Sequence, residues 1–231
     1  MYEISYVIVS TPRSATGYLS KVFNNLGLNC THEGKFNPWK AHTLDVEKST
    51  FGDSSWMAVP YLFMLPRNTT IIHQIRNPLA TLNSNLKPSL VPRSMFTNWE
   101  RRPEEPYAQF VWDHTTEWTW ANDEKARIMQ FWCGWHKWIE WAVAKRSDLR
   151  YIRFKIEELD GDKLHAIVSE ACPNCWGGGG PGFKSAIRAM APVPNNFNHH
   201  GQVGSEFSME DLTPAVKKLA VDYGYEEYLD R

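Results

Sequence analysis

The stretch VIVSTPRSATGYLSKVF, residues 7 to 23, constrains the fold more than any other part of the chain. A β-rich run over residues 4 to 10 ends at Thr11-Pro12, and apolar residues then recur at helical spacing until Gly27. This order predicts a buried strand, a turn and a helix. Unpaired N–H groups at a helix N-terminus favour an anion, and Arg13 adds a full positive charge. The stretch predicts an anion site, although it lacks the Gly-Lys-Ser/Thr of a nucleotide-triphosphate loop.

Strand and helix patterns alternate along the rest of the chain. β-rich runs recur at residues 70 to 75 and 149 to 154, and helical patterns follow at 79 to 86 and 162 to 171. This alternation predicts an α/β fold, with a central, mainly parallel sheet between two layers of helices. The length of 231 residues fits a single domain over 1–231.

The segments between these elements are less regular. Residues 28 to 31 predict a second strand, and Trp56 to Leu65 are apolar enough for a helix packed on the sheet. We expect irregular chain from the end of that second strand to about Ser55, and a long excursion from Lys87 to about Asn122. Residues 124 to 146 carry the clearest amphipathic pattern, and a last helix begins at Thr213-Pro214.

Composition excludes several classes of protein. The net charge of −1 gives no global basic field, so we expect no binding to nucleic acid. The sequence shows no apolar run as long as a membrane span and no basic start typical of a signal peptide, which favours a cytoplasmic protein. Its four cysteines are too few for a disulfide scaffold. Cys172 and Cys175 form a C-P-N-C pair typical of a redox motif or half a zinc site, but without a second pair we predict no metal.

A second motif, HQIRNPLATLNSNL at residues 73 to 86, decides between two interpretations of the first. Taken alone, the first loop fits two interpretations equally well: an anion site, or an ordinary turn in which Ser14 and Thr16 cap a helix. In the second motif Arg76 closes a strand, and Ser84 lies eight residues later, about two helical turns along. Both side chains are therefore expected to face the same end of the sheet.

Together, P-R-S-x-T and I-R-N-P-L-A-x-x-x-S resemble the two cofactor-binding elements of the sulfotransferases that use 3′-phosphoadenosine 5′-phosphosulfate. The resemblance implies their three-layer, P-loop-NTPase-like fold. It also implies that the first loop holds the 5′-phosphosulfate and the second motif the 3′-phosphate. The residues that it assigns to the cofactor are Arg13, Ser14, Ala15, Thr16, Gly17, Arg76 and Ser84, with Lys184 and Arg188 as candidates in a poorer match near the C-terminus.

The resemblance also implies a base that takes the proton of the acceptor hydroxyl. The segment CTHEG supplies His32 and Glu33, and the spacing typical of the family favours Glu33, with His32 orienting it or acting instead. Two residues depart from the family pattern. Ala15 replaces a usual glycine, at a cost of about 1 kcal/mol if that position needs a positive φ. Gly17 replaces a frequent Ser or Thr and removes a hydroxyl donor.

These features predict a sulfotransferase that releases 3′,5′-adenosine bisphosphate and requires no metal. The acceptor is expected to be a small molecule, a carbohydrate or a lipid head group, because the aromatic stretch over residues 98 to 120 suits stacking on one. Packing of that stretch within itself is an equal alternative. Two other functions stay open: a non-catalytic nucleotide-binding protein on the same fold, and an ATP-dependent kinase, which the missing G-x-x-x-x-G-K-[ST] disfavours.

Overall fold

A computed structural model of the chain describes residues 4–37, 52–86, 106–173 and 207–229. The chain divides into two compact units, one from Met1–Arg76 with Lys137–Phe197 and the other from Asn77–His136 with Asn198–Arg231. The expectation of a single domain over 1–231 stays a prediction. Within the described ranges, no helix is both long and apolar enough to cross a membrane.

The strands are β1 (Tyr6–Val9), β2 (Cys30–His32), β3 (Gly52–Ser54), β4 (Thr70–Ile75) and β5 (Arg150–Lys155). The α-helices are α1 (Thr16–Asn25), α2 (Pro78–Leu86), α3 (Pro106–His114), α4 (Glu124–Lys145), α5 (Gly161–Ala171) and α6 (Pro214–Asp222). Short 3₁₀ helices cover Trp56–Met64, Ile156–Glu158 and Glu226–Tyr228.

All five strands belong to one parallel sheet in the first unit, in the order β2-β3-β1-β4-β5. In its centre β1 pairs with β4 so that Val7 lies opposite Ile71 and Val9 opposite His73. The predicted α/β class and parallel sheet are therefore confirmed. Because every strand runs in the same direction, the loops after β1, β2 and β4 all leave from the carboxyl edge of the sheet, where ligands bind in open α/β sheets.

Helices cover both faces of this sheet. Tyr6 and Ile8 point to one face and pack in a buried cluster with residues of α1 and α5, among them Phe23 and Leu164. The alternating side chains, such as Val7 on β1, are fully buried on the opposite face. Burial on both sides is typical of a parallel sheet and accounts for the unbroken apolar character of β1.

Two elements differ from the sequence-based expectation. The segment expected to be irregular contains β3, whose residues Gly52, Asp53 and Ser54 carry none of the apolar side chains that indicate a strand. It forms because β1 and β2 pair with it on either side, and Gly52 lies directly against the ring of Tyr6, where a Cβ would clash. The excursion from 87 to 122 contains α3, a helix of nine residues.

The second unit holds α2, α3, α6 and the first half of α4, and its core is aromatic. Phe131 and Trp135 stack with ring centroids 4.7 Å apart, and Trp132 meets Tyr223, the residue directly after α6, edge-on at 6.2 Å. Trp118 lies so close to α4 that a Cβ at Gly134 would overlap its ring. At least this part of the aromatic stretch serves packing.

Candidate active site

The loop between β1 and α1 has an unusual backbone. Arg13 has φ 67°, and Ala15, the N-cap of α1, has φ 70° and ψ 26°. Ser14 between them is not among the residues with positive φ. Such alternation between left-handed and ordinary conformations turns successive backbone N–H groups towards one side and forms a concavity for anions. The loop predicted to hold an anion therefore has an alternating backbone typical of such concavities, and its binding of an anion stays a prediction.

Four backbone donors converge in this loop. Across the described ranges, the N–H groups of Ser14, Ala15, Thr16 and Gly17 have no hydrogen-bond acceptor. They also occupy the positive end of the α1 dipole. Burial lowers the pKa of Arg13, whose side chain is half-buried. The loop can thus offer several N–H donors to an oxyanion without first breaking internal bonds.

The two hydroxyls of the loop are differently disposed. The Ser14 hydroxyl is fully buried and lies 2.9 Å from the hydroxyl of Thr11. This hydrogen bond within the loop stabilises its conformation. The Thr16 hydroxyl lies 3.3 Å from Nε2 of His32, at the end of the neighbouring strand β2. Of the two hydroxyls assigned to the cofactor by resemblance, Ser14 is engaged within the protein and Thr16 meets the candidate catalytic pair.

Arg76 directly follows β4 and contacts the same loop. Arg76 is 8% exposed, and its Nη1 donates a hydrogen bond of 2.8 Å to the backbone carbonyl of Arg13. The two arginines that the sequence assigns to opposite ends of the cofactor are therefore joined by a bond. This bond holds the left-handed turn at Arg13 and adds a second positive charge next to the unpaired N–H groups.

The candidate base pair lies just beyond β2. Glu33 is 9% exposed, has φ 50°, and its N–H bonds to the carbonyl of Ser54. Its Oε1 lies 3.8 Å from Nε2 of His32, whose ring also contacts α1. A Cβ at Gly17 would lie 3.4 Å from that ring, an ordinary van der Waals distance, so the imidazole lies directly against the first turn of the helix. The anion loop and the carboxylate are therefore linked through His32.

Sequence reasoning missed Asp53 in this region. Its carboxylate is fully buried and accepts hydrogen bonds from Thr31 Oγ1 (2.7 Å), Gly34 N (3.1 Å) and Lys35 N (3.1 Å). Burial raises its pKa, an effect that these donors oppose. An acidic residue between Gly and Ser in a stretch without a period gave little signal. Its importance follows only from the pairing of β2 with β3.

Two further polar side chains are buried beneath the loop. Gln74 is completely buried, and neither atom of its amide bonds to another described residue; the same holds for the hydroxyl of Ser10. Val9 pairs with His73, so Ser10 and Gln74 are the next pair in register on the α1 face of the sheet. Unpaired buried amides are rare because they are costly. These positions would have been hard to single out from sequence, since Gln74 lies within an apolar run.

The remaining residues predicted to bind the cofactor do not belong to the described part of the first unit. Ser84 is buried in α2 and belongs to the second unit. Lys184 and Arg188 lie outside the described residues, as does Cys175. Cys172 is disulfide-bonded, whereas Cys30 and Cys133 are free thiols. A disulfide is more typical of oxidising compartments than of the cytoplasm, so the predicted location stays a prediction.

No protein-family model matches the sequence, and no curated protein is significantly similar to it. The resemblance to sulfotransferases therefore stays a prediction, carried by the residues of the two motifs.

Proposed function

We propose that the chain transfers the sulfuryl group of 3′-phosphoadenosine 5′-phosphosulfate to a hydroxyl of an acceptor. The observation that carries the proposal is the convergence of unpaired N–H groups at Ser14 to Gly17 with two arginines, beside a buried Glu33. An anion-binding loop alone fits many ligands. A carboxylate linked to that loop through His32 is what a transfer to a hydroxyl requires in addition.

The residues of the first unit fit the phosphosulfate end of this cofactor. The N–H groups of the loop and Arg13 would hold its oxygens, and Arg76 would keep the loop in shape. When bound, the cofactor supplies an activated sulfuryl group. Glu33 would accept the proton of the acceptor hydroxyl as the new O–S bond forms and the bond from sulfur to the 5′-phosphate breaks. The negative charge that then remains on the 5′-phosphate would be stabilised by the same N–H groups and by Arg13.

For the acceptor we propose only a chemical class. A cavity of about 230 Å³ begins two residues after Glu33 and is lined by Lys35, Phe36, Tyr61, Met64 and Leu65. Phe36 and Tyr61 stack with an interplanar angle of 22°. Flat aromatic faces beside a cationic side chain suit a ring with hydroxyl groups, which favours a carbohydrate or a small ring compound as acceptor.

Two measurements test the proposal. Thermal stability is measured with 3′,5′-adenosine bisphosphate and with ATP and magnesium, and transfer from labelled phosphosulfate is screened across glycans, phenols, lipids and peptides. We expect stabilisation by the bisphosphate and not by ATP, because a ligand bound only to the folded state raises its stability. Transfer should fall about 10²- to 10⁴-fold in Glu33→Gln, to a residual rate, and should be kept in Glu157→Gln, a matched change at an exposed carboxylate.

Each alternative has its own outcome in this experiment. Stabilisation by the bisphosphate without transfer to any acceptor would favour a non-catalytic nucleotide-binding protein. Stabilisation by ATP with magnesium alone would favour a kinase. Undiminished transfer in Glu33→Gln would show that another group accepts the proton of the acceptor hydroxyl. The next candidate for this base is His32.

A further inference from the structure

Asp53 is a buried carboxylate, and within the described residues its hydrogen bonds all come from residues 31 to 35, at the end of β2 and in the turn after it. Oδ1 accepts from the Thr31 hydroxyl and from the N–H of Gly34, and Oδ2 accepts from the N–H of Lys35. These donors lie on both sides of Glu33 in sequence. Asp53 thereby closes a loop in which the candidate base is the residue at the tip.

That turn would not hold its shape without such support. Glu33 has φ 50°, a left-handed conformation that is unfavourable for a residue with a side chain. Its own N–H is held by the carbonyl of Ser54, the residue after Asp53 on β3. Gly34 is packed so tightly that a Cβ there would lie 2.6 Å from Cβ of Thr31. Neighbouring residues of β3 thus fix both the backbone of Glu33 and the turn that follows it.

We propose that Asp53 is a positioning residue that holds the carboxylate of Glu33 at the anion loop for proton transfer. The inference rests on the proposed function and adds to it the group that keeps the base in place. Asp53 acts through the backbone on either side of Glu33 and is not a catalytic residue. Its ionised form suits this role because it can accept all three bonds at once, whereas an amide cannot.

The decisive variant is Asp53→Asn. The side-chain oxygen of asparagine can still accept from Thr31 and Gly34, but its NH₂ group would face the N–H of Lys35, donor against donor. We expect kcat to fall about 10- to 100-fold, since a displacement of about 1 Å can cost 10²-fold in rate. KM for the phosphosulfate and stabilisation by 3′,5′-adenosine bisphosphate should stay unchanged. A purely structural role would raise KM and reduce the stabilisation by the bisphosphate, along with the fall in kcat.

Two comparisons make this result specific. In a Glu33→Gln background, Asp53→Asn should cause no further loss of rate, because the group that it positions is already absent. Asp160→Asn makes the same change at a carboxylate that accepts the N–H of Lys163 at the start of α5, away from the candidate site, and should leave kcat unchanged. If Asp53→Asn does not fold, Thr31→Val removes the 2.7 Å bond to Asp53, together with a longer contact of 3.4 Å to the carbonyl of Gly52, and leaves the bonds from Gly34 and Lys35 in place. It should give a smaller fall in kcat of the same kind.

The outcomes separate the two proposals. If the wild-type protein transfers sulfate and both Asp53→Asn and Thr31→Val have the same kcat as the wild type, the inference about Asp53 is overturned. The proposed function is not affected by this outcome. The inference would also be overturned if Asp53→Asn lowered kcat by the same factor in the Glu33→Gln background as in the wild type. Asp53 would then act independently of Glu33. Wild-type protein that neither binds the bisphosphate nor transfers sulfate would overturn the proposed function, and the positioning role of Asp53 with it.

Discussion

Replacing Ala15 by glycine should stabilise the protein. Ala15 has φ 70° and ψ 26°, and its side chain makes no capping bond at the start of α1. A left-handed conformation costs a residue with a Cβ about 1–2 kcal/mol. Glycine avoids this cost but loses about 0.4–1 kcal/mol through its greater freedom in the unfolded chain. The net effect of Ala15→Gly is therefore an increase of about 0.5–1 kcal/mol in the free energy of unfolding.

Denaturant unfolding of the wild type and the variant measures this difference directly, and the thermal midpoint should rise by about 1–4 °C for a chain of this length. The control is Ala166→Gly, at an exposed position inside α5. There glycine should destabilise by about 1 kcal/mol, because the backbone is right-handed. If Ala15→Gly destabilises as much as Ala166→Gly does, Ala15 is not left-handed and the account of the anion loop is wrong.

Two further predictions concern buried groups. Gln74→Met should raise the free energy of unfolding by about 1 kcal/mol, since an unpaired buried amide costs about 1–3 kcal/mol; a loss of more than 1 kcal/mol by the same unfolding assay would instead reveal a partner for the amide. Burial raises the pKa of the Cys30 thiol to about 12, above its value of about 8.5 in an unfolded chain. The buried neutral thiol therefore contributes fully to the free energy of unfolding below pH 8.5. Above that pH its contribution declines by up to about 1.4 kcal/mol per pH unit, because the unfolded chain ionises first. Cys30→Ala should remove this slope when unfolding is measured between pH 8.5 and 10, and an unchanged slope would assign it to other groups.

The elements that the sequence predicted best are those whose residues carry their own signal. β4 coincides with its predicted bounds because an unbroken β-rich run ends at Arg76 and Pro78 begins the next helix. α5 begins where Asp160 caps it by accepting the N–H of Lys163. In both cases local chemistry and burial favour the same structure, so a linear pattern suffices.

The parts that escaped prediction depend on contacts between distant segments. β3 has no strand pattern of its own and exists through pairing with its neighbours. The bond from Arg76 to the carbonyl of Arg13 spans 63 residues, and no motif indicates a bond to a backbone carbonyl. Asp53 is likewise recognisable only when β2 and β3 lie side by side. The sequence could suggest which residues belong to the candidate site. It could not indicate the hydrogen bonds that fix their backbone.

Backbone strain gives an argument for the site that is independent of any resemblance. Among the described residues other than glycine, only Arg13, Ala15, Glu33 and Asn68 have a positive φ. Asn68 lies in a turn before β4, and asparagine tolerates this conformation. The other three are not residue types that favour this conformation, and all lie in the two loops that leave the carboxyl edge of β1 and β2. Strained conformations persist where the surrounding structure fixes them, as Arg76 and Asp53 do here, and they cluster at functional sites. The strain coincides with the unpaired N–H groups and the buried carboxylate, and this coincidence supports the proposed anion site.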